Sequence, residues 1–150
     1  MGRLTISNHS IHWCDLAPLL SSSARVSLSS EAKKSIKDSH KVLKKILSTG
    51  QQVYGVNTGF GQLSTVSIDA ADLKQLQLNL VRSHASGVGK PLDLGVTRIT
   101  MILKLLTWAK GHSGIRPELA KLMVGMLNHD ILPLIPRQGS VGASGDLAPL

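Results

Sequence analysis

Residues 93–110 constrain the fold more than any other stretch. Asp93 is a helix cap and Gly111 a helix stop. Between them Ile99, Ile102, Leu103, Leu106 and Ala109 share one helical face. Met101, Leu105 and Trp108 make the other faces apolar as well. A helix that is apolar nearly all round must be buried, and it needs partners on several sides. A chain of 150 residues offers few other helices. Much of this surface is therefore expected to stay wet, at roughly 25 cal/mol per Å² left exposed, and to drive association. Arg98 and Lys104 interrupt the apolar run 96–109, which is also too short to cross a bilayer.

The rest of the chain reads as mostly α with little strand. Residues 4–6 suggest a short strand, and 15–20 one or two helical turns with Pro18 early in them. Ser21-Ser22-Ser23 reads as a loop. Over 29–47, Ala32, Ile36, Leu43 and Leu47 form one helical stripe, and six lysines between Lys33 and Lys45 cover the remainder as a solvated face. Ser29 or Ser30 caps this helix and Gly50 ends it. Residues 51–65 break the pattern with Gly55, Gly59 and Gly61. A further helix starts at Asp69, carries Leu73, Leu76, Leu80 and His84 at helical spacing, and ends at Gly87. Pro117 opens the last clear helix, about 116–128, and Pro133 and Pro136 stiffen an extended lead-in to the C-terminal loop.

Net charge is +8 and the isoelectric point about 10.0. Such a balance suits nucleic acid, but aromatic residues make up only 3%, so stacking platforms are scarce. Neither a nucleic-acid nor a membrane partner is expected. A single cysteine, Cys14, forbids an intrachain disulfide. The N-terminus lacks the apolar core of a signal peptide, so a soluble cytoplasmic protein is expected. His9 and His12 lie three apart without a carboxylate or cysteine cluster, and no metal site is expected.

The chemistry concentrates in Gly139-Ser140-Val141-Gly142-Ala143-Ser144-Gly145-Asp146-Leu147-Ala148-Pro149-Leu150. If this loop bends tightly, the Gly145 nitrogen reaches the Ala143 carbonyl carbon and closes a five-membered ring. Loss of that oxygen and of the Ser144 hydroxyl, each as water, leaves an imidazolone with an exposed methylidene carbon. Gly145 permits the approach because it has no Cβ. Ser144 carries the leaving hydroxyl, and Ala143 is small. Gly142 gives the loop its turn. Asp146 reads as the N-cap of a following helix whose dipole would face the electrophile. Taken alone, Ala-Ser-Gly is an ordinary flexible loop.

The longer string resembles the cofactor-forming signature of the aromatic amino acid ammonia-lyases. Three more stretches agree with that family in order and spacing: Val53-Tyr54-Gly55-Val56-Asn57-Thr58-Gly59-Phe60-Gly61, Asn79-Leu80-Val81-Arg82-Ser83-His84-Ala85-Ser86-Gly87-Val88-Gly89, and Gly111-His112-Ser113-Gly114-Ile115-Arg116. The resemblance runs from about residue 4 to residue 150. It implies the N-terminal part of a helical ammonia-lyase/fumarase-like fold with long Gly-rich active-site loops. Residues 1–150 would be the first portion of a lyase catalytic domain, ending in the cofactor loop. It also implies a 4-methylidene-imidazole-5-one made from Ala143, Ser144 and Gly145, no external cofactor, and a homotetramer.

By the same resemblance Tyr54 is the catalytic base that removes the substrate β-proton. A phenol is a weak base unless its surroundings stabilise the phenolate, and on pattern alone Tyr54 is a packing residue. Asn57 and Thr58 would fix the loop by side-chain hydrogen bonds, with Asn57 also near substrate, while Gly59 and Gly61 keep the approach open. Ser83 and His84 occupy the position that sorts substrates in the family. On pattern alone His84 only completes the leucine stripe. Ser followed by His looks like the histidine-specific form, which implies deamination of L-histidine to trans-urocanate, since a polar ring wants a polar partner. Tyrosine- or phenylalanine-specific lyases and aminomutases are the nearest alternatives. A serine hydrolase built on Ser144 fits less well, because Asp146 stands where the elbow needs Gly. A basic helical interaction module remains as a third reading. The 150 residues alone are expected to be catalytically silent.

Overall fold

The computed structural model describes residues 2–21, 24–61, 64–69, 71–139, 141–142 and 145–146. The chain divides into two compact units, 1–43 with 91–135, and 44–90 with 136–150.

The first unit holds the hydrophobic core. Strand β1 (Gly2–Ile6) pairs in parallel with β2 (Ala24–Leu28), in register from Gly2 opposite Ala24 to Ile6 opposite Leu28. They are linked through α1 (Trp13–Leu16) and a 3₁₀ turn at Ala17–Leu20, with Pro18 early in that turn. No strand is expected at 24–28 from the reading above, yet Ala24, Val26 and Leu28 are buried and alternate with Arg25 and Ser27. That period of two is the signature of a half-buried strand. The free edge of β2 is closed by a side chain. The Asn128 amide accepts from Val26 N at 2.7 Å and donates to Val26 O at 2.9 Å, as a neighbouring strand would.

Helix α4 (Leu94–Ala109) is the centre of this core, with ten of its sixteen residues buried. The expectation of a largely wet helix is corrected here. The 3₁₀ turn, β1 and α5 (Pro117–Asn128) all pack on α4, so a strand and a turn supply cover that helices alone do not. The exposed remainder is a narrow stripe. Leu103, assigned above to the main apolar face, lies on it together with Val96 and Thr107. Close approach is permitted by Gly95, where a Cβ would overlap the Leu20 carbonyl oxygen. Arg98, which breaks the apolar run in sequence, is buried and useful. Its guanidinium donates to Leu19 O and to Asp130 Oδ1, each at 3.1 Å.

Helix α2 (Ser30–Ser48) is capped by Ser29, whose Oγ accepts from Ala32 N at 3.1 Å. Ala32 and Ile36 are buried, and the lysines of the helix are exposed. Lys34 bonds Asp38 at 2.6 Å, and Lys41 is 3.9 Å from its other oxygen. The Lys34 hydrogen bond holds the Asp38 carboxyl below its ordinary value. The Gly-His-Ser-Gly stretch is pinned to α2 through its second glycine. Gly114 N donates to Ser39 Oγ at 2.8 Å, and Gly114 O lies 2.9 Å from His40 Nδ1. His112 itself is exposed.

The second unit is built differently. It contains the tail of α2, the loop 51–68, α3 (Leu73–His84), the pair β3 (Val88–Pro91) and β4 (Pro136–Gln138), and the hairpin β5 (Val141–Gly142) with β6 (Gly145–Asp146). Helix α3 begins at Leu73 rather than Asp69, which sits in a preceding turn, and ends at His84 rather than at Gly87. Its stripe Leu73, Leu76, Leu80 and His84 is half-buried, and none of its residues is fully buried. Among the described residues, every buried hydrophobic side chain belongs to the first unit.

Candidate active site

All the described site residues lie in the second unit, in three local clusters. The first is the loop 51–68, a compact turn tied by its own polar groups. Asn57 Oδ1 accepts from Val53 N at 2.7 Å, and its Nδ2 donates to Gln51 O at 3.0 Å. Thr58 is fully buried; its Oγ1 accepts from Gly55 N at 3.2 Å and donates to Gly59 O at 3.0 Å. A bridge joins Thr58 to Ser67, and Gly59 N donates to Val66 O. The far end is closed by Gln52, which donates to Thr65 O. Gly61 adopts φ +57° and accepts through its carbonyl from Ser64 N.

This frame presents Tyr54 outward. The ring is 65% exposed and touches Phe60 edge to face, with centroids 5.7 Å apart. The only phenylalanine of the chain was not singled out above. Its position between two glycines in a polar loop is the signal for it, because such a ring needs a partner there.

The second cluster is the C-terminal turn of α3. Ser83 Oγ donates to Leu80 O at 3.0 Å. His84 Nδ1 lies 2.9 Å from that carbonyl oxygen and 2.9 Å from Ser83 Oγ. One carbonyl thus gathers both side chains, and all the contacts of the imidazole fall on Nδ1. His84 is half-buried and Ser83 exposed.

The third cluster is the hairpin. Val141 pairs with Asp146, and Gly142 with Gly145. Asp146 belongs to β6, and the helix it was expected to cap falls on 147–150, outside the described residues. Ala143 and Ser144 lie outside the described residues. Among the described residues, no group of three or more metal-ligating side chains occurs and no helix is long and apolar enough to cross a membrane.

Residues 12–150 match the family model described as aromatic amino acid lyase. The chain belongs to the aromatic amino acid lyase family. It is 44% identical over 147 residues to the histidine ammonia-lyase of Treponema denticola, covering 98% of this chain and 29% of that protein. The crystal structure of histidine ammonia-lyase from Trypanosoma cruzi superposes with a TM-score of 0.81 at 37% identity, over 93% of this chain and 27% of that one. Tyrosine aminomutase from Streptomyces globisporus superposes with a TM-score of 0.86 at 29% identity, over 93% of this chain and 26% of that one. The mostly helical architecture is thus that of the N-terminal part of the aromatic amino acid lyases. The chain spans about 29% of the length of the curated relative it matches. Within the lyase family, shape alone does not separate an ammonia-lyase from an aminomutase, since both kinds superpose well.

Proposed function

We propose that the protein containing this chain deaminates L-histidine without oxidation, giving trans-urocanate and ammonia. The observation that carries this is the Ser83–His84 pair on the Leu80 carbonyl. In the tautomer with hydrogen on Nδ1, both Ser83 Oγ and His84 Nδ1 donate to Leu80 O. His84 Nε2 then carries a lone pair, fixed in direction by the anchored ring. That acceptor suits the N–H of a substrate imidazole. A phenyl ring would leave it desolvated and unpaired, which selects against phenylalanine. The 44% identity to a protein named histidine ammonia-lyase supports the same substrate.

In the elimination, a Cβ–H bond and the Cα–N bond break, a Cα=Cβ double bond forms, and a proton and ammonia leave. Tyr54 is the group we assign to accept the β-proton; its exposure lets a substrate reach the phenol oxygen. The Asn57 amide keeps one Nδ2 hydrogen beyond the bond to Gln51, and we assign it to substrate. Gly59 and Gly61 carry no side chains to block the approach.

The Ala143-Ser144-Gly145 segment would supply the electrophile with no external cofactor. The hairpin register supports it. Gly142 pairs with Gly145, so the residues that flank Ala143-Ser144 lie side by side, and Gly145 has no Cβ to hinder its nitrogen from approaching a carbonyl. Closing the ring forms one C–N bond and releases two waters. A methylidene-imidazolone formed there would supply an electrophilic carbon able to activate the substrate for loss of its amino group. We infer a homotetramer as the working form, as the family resemblance implies.

The test is to incubate the full-length protein with L-histidine, L-phenylalanine and L-tyrosine and to separate the products. Urocanate from histidine at the highest kcat/KM is expected. Preferred formation of cinnamate or coumarate, or of a β-amino acid, would move the protein to another branch of the family.

A further inference from the structure

The lysines of α2 are not one uniform solvated face. Lys34 and Lys41 are drawn to Asp38. Lys33 and Lys37, one turn apart, line a cavity of about 410 Å³ in the first unit, together with Lys121 of α5, and the Lys37 charge also acts on the Asp38 carboxyl. Among the described residues, no ion pair engages these three ammonium groups. Buried apolar side chains form the cavity floor: Leu28 from β2, Ile36 from α2 and Ala120 from α5. Pro117, the first residue of α5, and Glu118 complete the wall.

Three cations against one carboxylate leave the rim positive, and the N-terminal end of a twelve-residue helix adds to that potential. A greasy floor under a cationic rim is complementary to one kind of molecule, an anion with an apolar body. Inorganic anions gain nothing from Leu28, Ile36 and Ala120, and neutral apolar molecules gain nothing from the lysines. The volume falls in the range of small-molecule sites, about 300–1,000 Å³. Lysine ammonium groups bind anions as mobile point charges with no demand for planar, forked geometry, so a carboxylate head group is accommodated.

We propose that this groove between α2 and α5 is a binding site for a small organic carboxylate with an apolar body, separate from the Tyr54 and His84 clusters. It does not depend on the reaction proposed above.

The probe is 4-phenylbutyrate, titrated calorimetrically into the full-length protein and compared with 4-phenylbutanol and inorganic phosphate. His84→Ala is included as a background, because the reaction site also takes an aromatic acid. One site per chain that survives in His84→Ala is expected. Lys33→Ala/Lys37→Ala should weaken it by about tenfold or more, as loss of charge-assisted contacts does. Lys121→Gln should weaken it less, and added salt should weaken it in the parent but scarcely in the double variant. All three lysines are exposed, so these variants are expected to melt with the parent. The proposal is overturned if phenylbutyrate binds the double variant as tightly as the parent, if phenylbutanol or phosphate binds as well as the acid, or if no heat beyond dilution is seen. Loss of binding in His84→Ala alone overturns it too, by moving the ligand to the reaction site.

Discussion

The Tyr54 ring meets Phe60 edge on, at an interplanar angle of 71°. With Tyr54 65% exposed, this contact restrains a ring that solvent would otherwise let swing. Tyr54→Phe keeps ring and volume but removes the proposed base, and a fall in kcat of about 10²–10⁴ is expected. Phe60→Leu removes an edge-to-face contact worth roughly 0.5–1.5 kcal/mol and should cost much less. Near-normal turnover in Tyr54→Phe would make the tyrosine a packing residue.

Replacing Ser83 and His84 together by Phe and Leu removes both donors to the Leu80 carbonyl and the Nε2 acceptor. Activity on histidine should fall far more than activity on phenylalanine, by several kcal/mol of discrimination. Competition kinetics with both substrates read this directly. Equal losses on both would reduce the pair to helix support.

Asn57→Ala leaves Val53 N and Gln51 O without their partners. Unpaired groups of this kind cost about 1–3 kcal/mol each when buried, and somewhat less in this half-exposed loop. Faster amide exchange at Val53 and a drop in kcat/KM are expected. Unchanged exchange would show that the loop holds itself without the Asn57 amide.

Gly95 and Gly125 make a contrasting pair. A Cβ on Gly95 overlaps the Leu20 carbonyl, which cannot move without shifting the 3₁₀ turn. Gly95→Ala should lower stability by about 1–3 kcal/mol or more. A Cβ on Gly125, inside α5, meets nothing within 4 Å. Gly125→Ala should raise stability by about 0.5–1 kcal/mol through helix propensity. Thermal melts of both variants decide it; similar melting temperatures would contradict the packing at Gly95.

Intact mass spectrometry tests the electrophile. The mature full-length protein should weigh two waters less than its sequence, and Ser144→Ala should abolish that deficit along with activity, because no hydroxyl remains to leave. A parent mass equal to the sequence mass would sink the proposed chemistry.

Much of this protein was legible in one dimension. The period of the leucines marked α3 and the cap and stop marked α4, because local backbone preferences and side-chain spacing are written in neighbouring residues; the glycine-rich strings carried the proposed site. Strand β2 was missed, although its alternation of apolar and polar residues is present in the sequence. What the sequence by itself did not determine were the long-range choices. Nothing local to Asn128 says that its amide will close the edge of Val26, 102 residues away. Nor does anything local to Arg98 assign it to Leu19 and Asp130, or divide the lysines of α2 between Asp38 and a groove. Those outcomes follow from which elements meet. A buried polar group must find its partner wherever the packed chain happens to bring one, and only the tertiary structure decides where that is.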